Sequence, residues 1–264
     1  MCGFCDIVNK SEDKIDLFTE DEINVFLFGV YIGIYSVSNL DLNTYQKTAR
    51  KLSQGVFEGY GKTFSDNLNI DDLEMLKSLQ RNVYHFSAAK QYTMLKEINK
   101  ALVTGGKVTP FPEFKKAAKS IFETYNENYL LAEYNSAIGQ SRTASRWQEY
   151  VKEANVFKML TYQTAGDGRV RPQHEILNGV TRPVNDPFWN KFMPPNGWNC
   201  RCIVIQNNDK QTEVPGSVSV EDVPKEFRFN AGKEKVVFNK NHPYFKGVSR
   251  KDKDFAKQNF GMPL

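Results

Sequence analysis

Two cysteines one residue apart, Cys200 and Cys202, follow the stretch Pro194-Pro-Asn-Gly-Trp-Asn199, and His174 lies upstream behind Asp167-Gly-Arg-Val-Arg171. Thiolate sulfur and imidazole nitrogen are ligands that zinc favours, and zinc collects four ligands in a tetrahedron. Side chains alternate between the faces of an extended strand, so a Cys-x-Cys pair sends both thiols the same way. Cys200, Cys202 and His174 are therefore three candidate ligands for one zinc ion, with Asp167, His242 or the terminal Cys2-x-x-Cys5 as candidates for the fourth. The competing expectation is a pair of small buried residues packed against Trp198. The two-by-two ligand spacing of structural zinc sites is absent, which favours that plainer expectation. The same residues could also do nucleophilic chemistry, with His174 as general base and Cys200 as attacking thiolate in a zinc- or cysteine-dependent hydrolase or transferase centred on His174, Cys200 and Cys202. No oxyanion loop or nucleophile elbow surrounds Cys200, which weighs against that reading.

The flanking charges offer anion chemistry. Arg169 and Arg171 alternate, so on an extended stretch they share a face and could address a phosphate or a carboxylate. The plainer expectation, favoured here, is that they pin the loop by pairing with nearby acids or carbonyls. Asp167 before Gly168 predicts a tight turn in which the Asp side chain bonds the backbone two residues on. Asn199 and Arg201 bracket Cys200 and suggest turn and strand geometry around it. Trp189 and Trp198 flank a stiff Pro-Pro-Asn-Gly loop and are expected to anchor it in a core. His242, in Asn241-His-Pro-Tyr-Phe245, sits in a rigid aromatic turn. No Gly-rich phosphate loop, His-Glu-x-x-His helix or acidic metal cluster occurs in the chain.

These residues need elements to hold them. Val156 to Thr164 alternates and ends at Ala165-Gly-Asp-Gly168, which predicts a strand running into a turn. Cys202 to Gln206 predicts a second strand and Lys235 to Phe238 a third. Glu175 to Leu177 and Pro187 to Phe192 read as short helical turns, and Asn207 to Lys225 as a polar surface excursion. Upstream, residues 11–100 read as helical. Ser11-Glu-Asp-Lys14 resembles an N-cap region, and Thr19 to Glu22 has capping-box spacing ahead of the apolar run Ile23 to Tyr35, expected to be a buried helix. Helices are also predicted over Thr44–Tyr60, with Tyr45, Ala49, Leu52 and Val56 inward, and over Asp71–Thr93, with Leu73, Leu76, Leu79, Val83 and Phe86 inward. Thr104 to Pro112 reads as a linker. A long helix follows from Phe114 to Val151, with Gly139 as a kink point. The expected fold class is α+β: a helical region over 1–110, then a domain over 111–264 with a leading long helix and a short, mainly antiparallel sheet.

The 264 residues, 40% hydrophobic with 19 Phe and 12 Tyr, describe a folded and soluble chain. A net charge of +4 is weaker than a dedicated DNA-binding domain would carry. Lys115, Lys116 and Lys119, and the run from Lys246 to Lys253, read as solvated faces, the second dense enough for occasional nucleic-acid contact. No secretory signal is visible, and the longest apolar run is short of the roughly 20 residues a membrane span needs. Two close cysteine pairs do not suggest a secreted disulfide framework, so a reducing cytoplasm is expected.

Taken in order, Tyr162-Gln-Thr, Asp167-Gly-Arg-Val-Arg171-Pro-x-His174, Asn178-Gly179, Asp186-Pro-Phe-Trp189 and Pro194-Pro-Asn-Gly-Trp-Asn-Cys-Arg-Cys202 resemble the phage Mu F-like head-morphogenesis family, minor head proteins of tailed phages and prophages. Phe227-Arg-Phe-Asn230 and His242-Pro-Tyr-Phe245 resemble that family's continuation, so the resemblance covers residues 120–245. It implies a structural, non-enzymatic role in head assembly near the portal, and in DNA packaging or delivery. It implies portal, coat or scaffolding partners and non-specific DNA contact, with residence in the procapsid or virion and in the host cytoplasm during assembly. By position, Asp167, Arg169, Arg171, His174, Asn199, Cys200, Arg201 and Cys202 form the family's signature cluster. Cys2-x-x-Cys5 departs from the family pattern, and the short tail after Phe245 is expected to hold no further domain.

Overall fold

Thr19 opens the first helix by the reciprocal bonding its sequence predicts. Its hydroxyl accepts the Glu22 amide at 3.3 Å, and the Glu22 carboxylate accepts the Thr19 amide at 2.9 Å. Both groups would otherwise be orphaned at the helix start. In this computed structural model residues 15–248 and 250 are described. Cys2, Cys5, the Ser11–Lys14 capping region and the end of the Lys246–Lys253 run lie outside them. Helix α1 (Glu20–Tyr31) buries Ile23, Phe26, Leu27 and Val30, while Val25 and Phe28 stay 66% and 50% exposed. The apolar run is thus one-sided and not a buried helix. It stops where Gly33 takes φ +81°, a conformation that costs glycine nothing.

Helices α2 (Leu42–Tyr60) and α3 (Ile70–Ile98) follow the predicted periodicity. Tyr45, Ala49, Leu52 and Val56 are buried on α2, and Leu76, Leu79, Val83 and Phe86 on α3; Leu73 is only half-buried. The expected linker is a two-stranded hairpin, β1 (Val103–Thr104) and β2 (Lys107–Val108), closed by Gly105 and Gly106 at φ +59° and +78°. Two successive positive φ angles are what a tight two-residue hairpin turn demands, and a Gly-Gly pair supplies them. Helix α4 (Phe111–Glu123) passes through a π-helical segment (Thr124–Tyr129) into α5 (Leu130–Lys152). The irregularity falls there and not at Gly139, which lies inside α5.

The remaining elements are short: β3 (Met159–Gln163), α6 (Pro172–Glu175), β4 (Thr181–Pro183), β5 (Ile203–Asn207), α7 (Ala231–Glu234) and α8 (Pro243–Gly247). They complete an α+β chain of the expected class. The sheet is antiparallel in the order β4-β3-β5, with Tyr162 opposite Val204 and Thr161 opposite Thr181. Two strand assignments change. Lys235–Phe238 is not a strand; Lys235 caps α7 in the left-handed region at φ +55°, and Val237 and Phe238 are buried anchors. The third strand is β4, hidden in the sequence by Pro183, which lacks an amide and is tolerated only at an edge such as this one.

By packing, the described chain falls into two compact units. One comprises Ser53–Gln80 and Tyr134–Asn239, the other 15–52, Arg81–Glu133 and 240–250. In the first, Trp147 and Tyr150 of α5 pack with Leu160, Tyr162 and Val204 of the sheet, and with Leu177, Trp189 and Met193 from the connections. The Tyr150 hydroxyl donates to the Val204 carbonyl at 2.7 Å, tying α5 to the edge strand β5. In the second, Phe26 packs against Phe122, and Lys90 is buried beside Glu133. Among the described residues, no helix is long and apolar enough to cross a membrane.

Candidate cysteine–histidine centre

Strand β3 delivers the chain into the loop that carries His174. The Thr164 amide donates to the Asn178 side chain at 3.0 Å, closing the loop's two ends. Between them the Asp167 carboxylate accepts the Arg169 amide at 3.1 Å, and the Val170 amide reaches the Asp167 carbonyl at 3.0 Å. This is the predicted Asp turn. Pro172 then starts α6, whose fixed φ suits a first helical position, and α6 places His174 inward at 3% exposure.

The second loop is held mainly through its backbone carbonyls. Thr143 of α5 donates to the Pro194 carbonyl at 2.7 Å, and Gln140 to the Pro195 carbonyl at 3.2 Å. Gly139 lets this loop approach: a Cβ there would lie 2.7 Å from Pro195 Cγ. Asn196 is fully buried, donating to the Met193 carbonyl at 3.2 Å and accepting the Tyr162 hydroxyl at 3.1 Å. Asn199 then turns the chain at φ +56°, a region asparagine tolerates better than other side-chain-bearing residues. Cys200 and Cys202 lie just ahead of β5, not within a strand, yet both thiols still turn to His174.

Two clamps join the loops. The Arg201 guanidinium meets the Asp167 carboxylate in a two-pronged pair, both bonds 2.6 Å. Arg171 donates to the Trp198 carbonyl at 2.6 Å. Arg169 and Arg171 therefore do not share a target. Arg169 extends outward with a 3.5 Å approach to Asp167 and a side chain 66% exposed. The Arg201 hydrogen bonds hold the Asp167 carboxyl well below the usual carboxylate range. Planar guanidinium on carboxylate fixes geometry as well as charge, so Arg201 and Arg171 tie the two loops together while Arg169 does not.

At the centre, His174 Nδ1 lies 3.6 Å from Cys200 Sγ and 3.6 Å from Cys202 Sγ, and the three ligand atoms fall within 4.8 Å of one another. Both thiols are free. The hydrogen bond from Cys202, helped by His174 and by the Asn196 amide, pulls the Cys200 thiol well below its ordinary range. Donating that bond, and burial, push Cys202 up. Asp167 and His242 do not join the group. Asp167 is occupied by Arg201, and His242 belongs to the other unit, where it packs edge-on against Phe86 and Tyr244. Trp198 packs against Phe227 at 5.0 Å. The residue buried beside the thiols is Tyr162, which the sequence reading left out of the site. Its inward register on β3, beside Leu160, was the available signal. Asn196, read only as a turn former, is the other omission.

The geometry defines an α+β scaffold whose two signature loops are clamped over a Cys₂His centre. A family model described as phage Mu protein F like protein matches residues 92–205, the span holding α5, both loops and the centre. The motifs from Tyr162 to Cys202 fall within that span, and those at 227–230 and 242–245 lie beyond it. Among curated proteins, "Putative capsid assembly protein F" of Escherichia phage Mu is 37% identical over 71 residues, 27% of this chain and 16% of that protein. "Mu-like prophage FluMu F protein" of Haemophilus influenzae is 33% identical over 61 residues, 23% of this chain and 15% of that protein. The matched stretches thus cover about a sixth of these relatives' lengths. No solved structure shows a significant match to the chain.

Proposed function

We propose that this chain is a phage or prophage minor head protein that acts in capsid assembly, without catalysing a reaction. The observation that carries the reading is the family match over residues 92–205, which encloses both clamped loops and the centre between them. The name of the phage Mu relative points the same way. In this reading the helical region over 1–110 recognises other head proteins, namely portal, coat or scaffold, and the Mu F-like domain over 111–264 supplies a rigid platform. Asp167, Arg171 and Arg201 hold that platform. Arg169 and Asn199, both exposed, face an acidic partner surface or packaged DNA. The chain works in the procapsid beside the portal, assembled in the host cytoplasm, and aids packaging or delivery of DNA.

The test is co-expression with the portal, coat and scaffolding proteins of its own phage. The expected result is co-purification with at least one of them, together with fewer or DNA-poor heads when the gene is deleted. Normal filled heads without the gene, and no association with any of the three, would overturn the proposal. The hydrolase or transferase reading has one observation in its favour, the 3.6 Å approach of His174 to Cys200. It is separated by Cys200→Ser: a folded variant that still supports head assembly but loses a measurable turnover would establish catalysis.

A further inference from the structure

We propose that His174 Nδ1, Cys200 Sγ and Cys202 Sγ bind one zinc ion, whose fourth position opens to the arginine-lined cleft beside them. The inference stands independently of the assembly reading, because it rests on side-chain geometry alone.

The first argument is distance. Zinc–sulfur bonds of about 2.3 Å and zinc–nitrogen bonds of about 2.0–2.1 Å, set at a tetrahedral angle, separate a bound sulfur from a bound nitrogen by about 3.6 Å. Both sulfur–nitrogen distances here are 3.6 Å. A hydrogen bond to the ring explains only one of the two distances, and the Cys202 bond to Cys200 does not require the second. A neutral imidazole has one lone pair at Nδ1, which accepts one S–H, and a protonated Nδ1 has one hydrogen to give. One thiol of the two would be left without a bond to the ring. A metal on the common side of the three atoms uses all of them.

The second argument is the surroundings. Asn196 braces the loop that carries both cysteines, its side chain donating to the Met193 carbonyl and accepting the Tyr162 hydroxyl. Bracing of this kind behind the ligands orients them for a metal. The loops that carry the ligands are fixed before any metal arrives, by the Asp167–Arg201 pair on one side and the Arg171 bond to Trp198 on the other. The donor set selects the metal class. Two thiolates and an imidazole suit zinc and disfavour magnesium or calcium, which need oxygen ligands. The Asp167 carboxylate, the oxygen ligand that the sequence suggests, is committed to Arg201.

The third argument concerns the fourth position. Among the described residues no further His, Cys, Asp or Glu joins the group. A small cleft lies directly on the three ligands, its other walls formed by Arg169, Arg171, Asn199 and Arg201 with Ala165 and Val170. Zinc with two thiolates is electrically neutral, and three guanidiniums against the single Asp167 carboxylate leave the cleft positive. The open vertex therefore takes water, hydroxide or a small anion.

The experiment uses the full chain carrying Cys2→Ser and Cys5→Ser, so that the terminal pair cannot hold metal. The expected result is one zinc per chain after dialysis. Replacement by cobalt(II) should give the visible bands of a tetrahedral thiolate site, and added azide should shift them. Cys200→Ser, Cys202→Ser and His174→Ala should each lose stoichiometric metal. Should those variants fail to fold, two measurements remain. Bound zinc should shield Cys200 and Cys202 from alkylation until a chelator is added, and His174→Cys should retain metal with an altered cobalt spectrum. A folded chain that holds no zinc and leaves both thiols open to alkylation would overturn the site. Cobalt bands that ignore azide would overturn the open vertex.

Discussion

Replacing Lys90 by methionine should cost stability in a way that depends on pH with a known slope. Lys90 on α3 and Glu133 on α5 are 1% and 2% exposed and form an ion pair, and the Tyr244 hydroxyl donates to the second Glu133 oxygen at 3.3 Å. Burial is the dominant influence on both: it pulls the lysine down and pushes the glutamic acid up, each opposed by its partner. Whichever of the two holds the shared proton, the folded pair carries the same number of protons as the unfolded chain near neutrality. In the native protein this pair therefore contributes no pH dependence near neutrality. Methionine fills the space of the lysine stem but leaves a carboxylate in an apolar site, where it takes up a proton to become neutral. Holding a carboxyl of ordinary pKa 4.5 in its protonated form at pH 7 costs about 3.4 kcal/mol, since each unit is about 1.4 kcal/mol. This lies within the roughly 3–5 kcal/mol seen when one partner of a buried pair is removed. Urea unfolding followed by circular dichroism at pH 7, 6 and 5 should find the deficit of Lys90→Met shrinking by about 1.4 kcal/mol per unit. Lys90→Met combined with Glu133→Gln should lose that slope. A deficit independent of pH, or below about 1 kcal/mol at pH 7, would refute the reasoning.

Gly59→Ala should lower the urea midpoint by the equivalent of about 1–3 kcal/mol, because its Cβ would lie 2.1 Å from the Ile138 carbonyl oxygen and backbone cannot yield as a side chain can. Gly55→Ala, whose nearest contact is the movable Tyr134 ring at 3.1 Å, should cost less in the same assay. Burial, aided by the charge of Lys90, lowers His242 from 6.5 to about 4, so the unfolded chain protonates first as pH falls. Stability should drop by about 3 kcal/mol between pH 6.5 and 4 and level off below. His242→Asn, which keeps an acceptor for the Tyr244 amide, should flatten that part of the thermal-melting profile. Asp167→Asn removes the charge that Arg201 grips and should speed tryptic cleavage after Arg169 several-fold with unchanged far-ultraviolet circular dichroism; unchanged cleavage would mean the clamp does not hold the loop.

The sequence made much of the helical framework legible because periodicity and capping are local properties. Thr19 and Glu22 name their own bonds, and Tyr45, Ala49, Leu52 and Val56 mark one face of α2 without help from the rest of the fold. The errors fall where tertiary context overrides local pattern. Lys235–Phe238 has a strand's composition, but its two apolar residues are used as anchors after a left-handed cap. Thr181–Pro183 lacks a strand's composition, and becomes one because β3 has an edge free to pair. Cys200 and Cys202 were read as facing one way for a strand's reason. They do converge, but through the Asn199 turn and the Asp167–Arg201 clamp, which join residues more than 30 positions apart. Tyr162 and Asn196 escaped notice because a buried hydroxyl–amide bond between distant residues leaves no mark on spacing.

The way charge is spent in the two loops bears on how the protein could meet a partner. Three guanidiniums and one carboxylate in a short span look like a ready anion site, but Arg201 and Arg171 are committed to Asp167 and to the Trp198 carbonyl. A committed guanidinium gives up its pairing before it can bind another anion, and an exposed pair gained late contributes little. Arg169 is different: its backbone amide forms the turn, while its side chain makes only a loose, 3.5 Å approach and stays mostly in solvent. Under the proposed assembly role, recognition by this face would depend on the shape that the clamps impose, with Arg169 and Asn199 as the polar contacts at its rim. Loop rigidity is a precondition for such recognition, since ordering the loops on contact would consume binding energy. Under that proposal the conspicuous residues of the sequence serve a partner indirectly, by keeping the two loops and the Cys₂His centre in one arrangement.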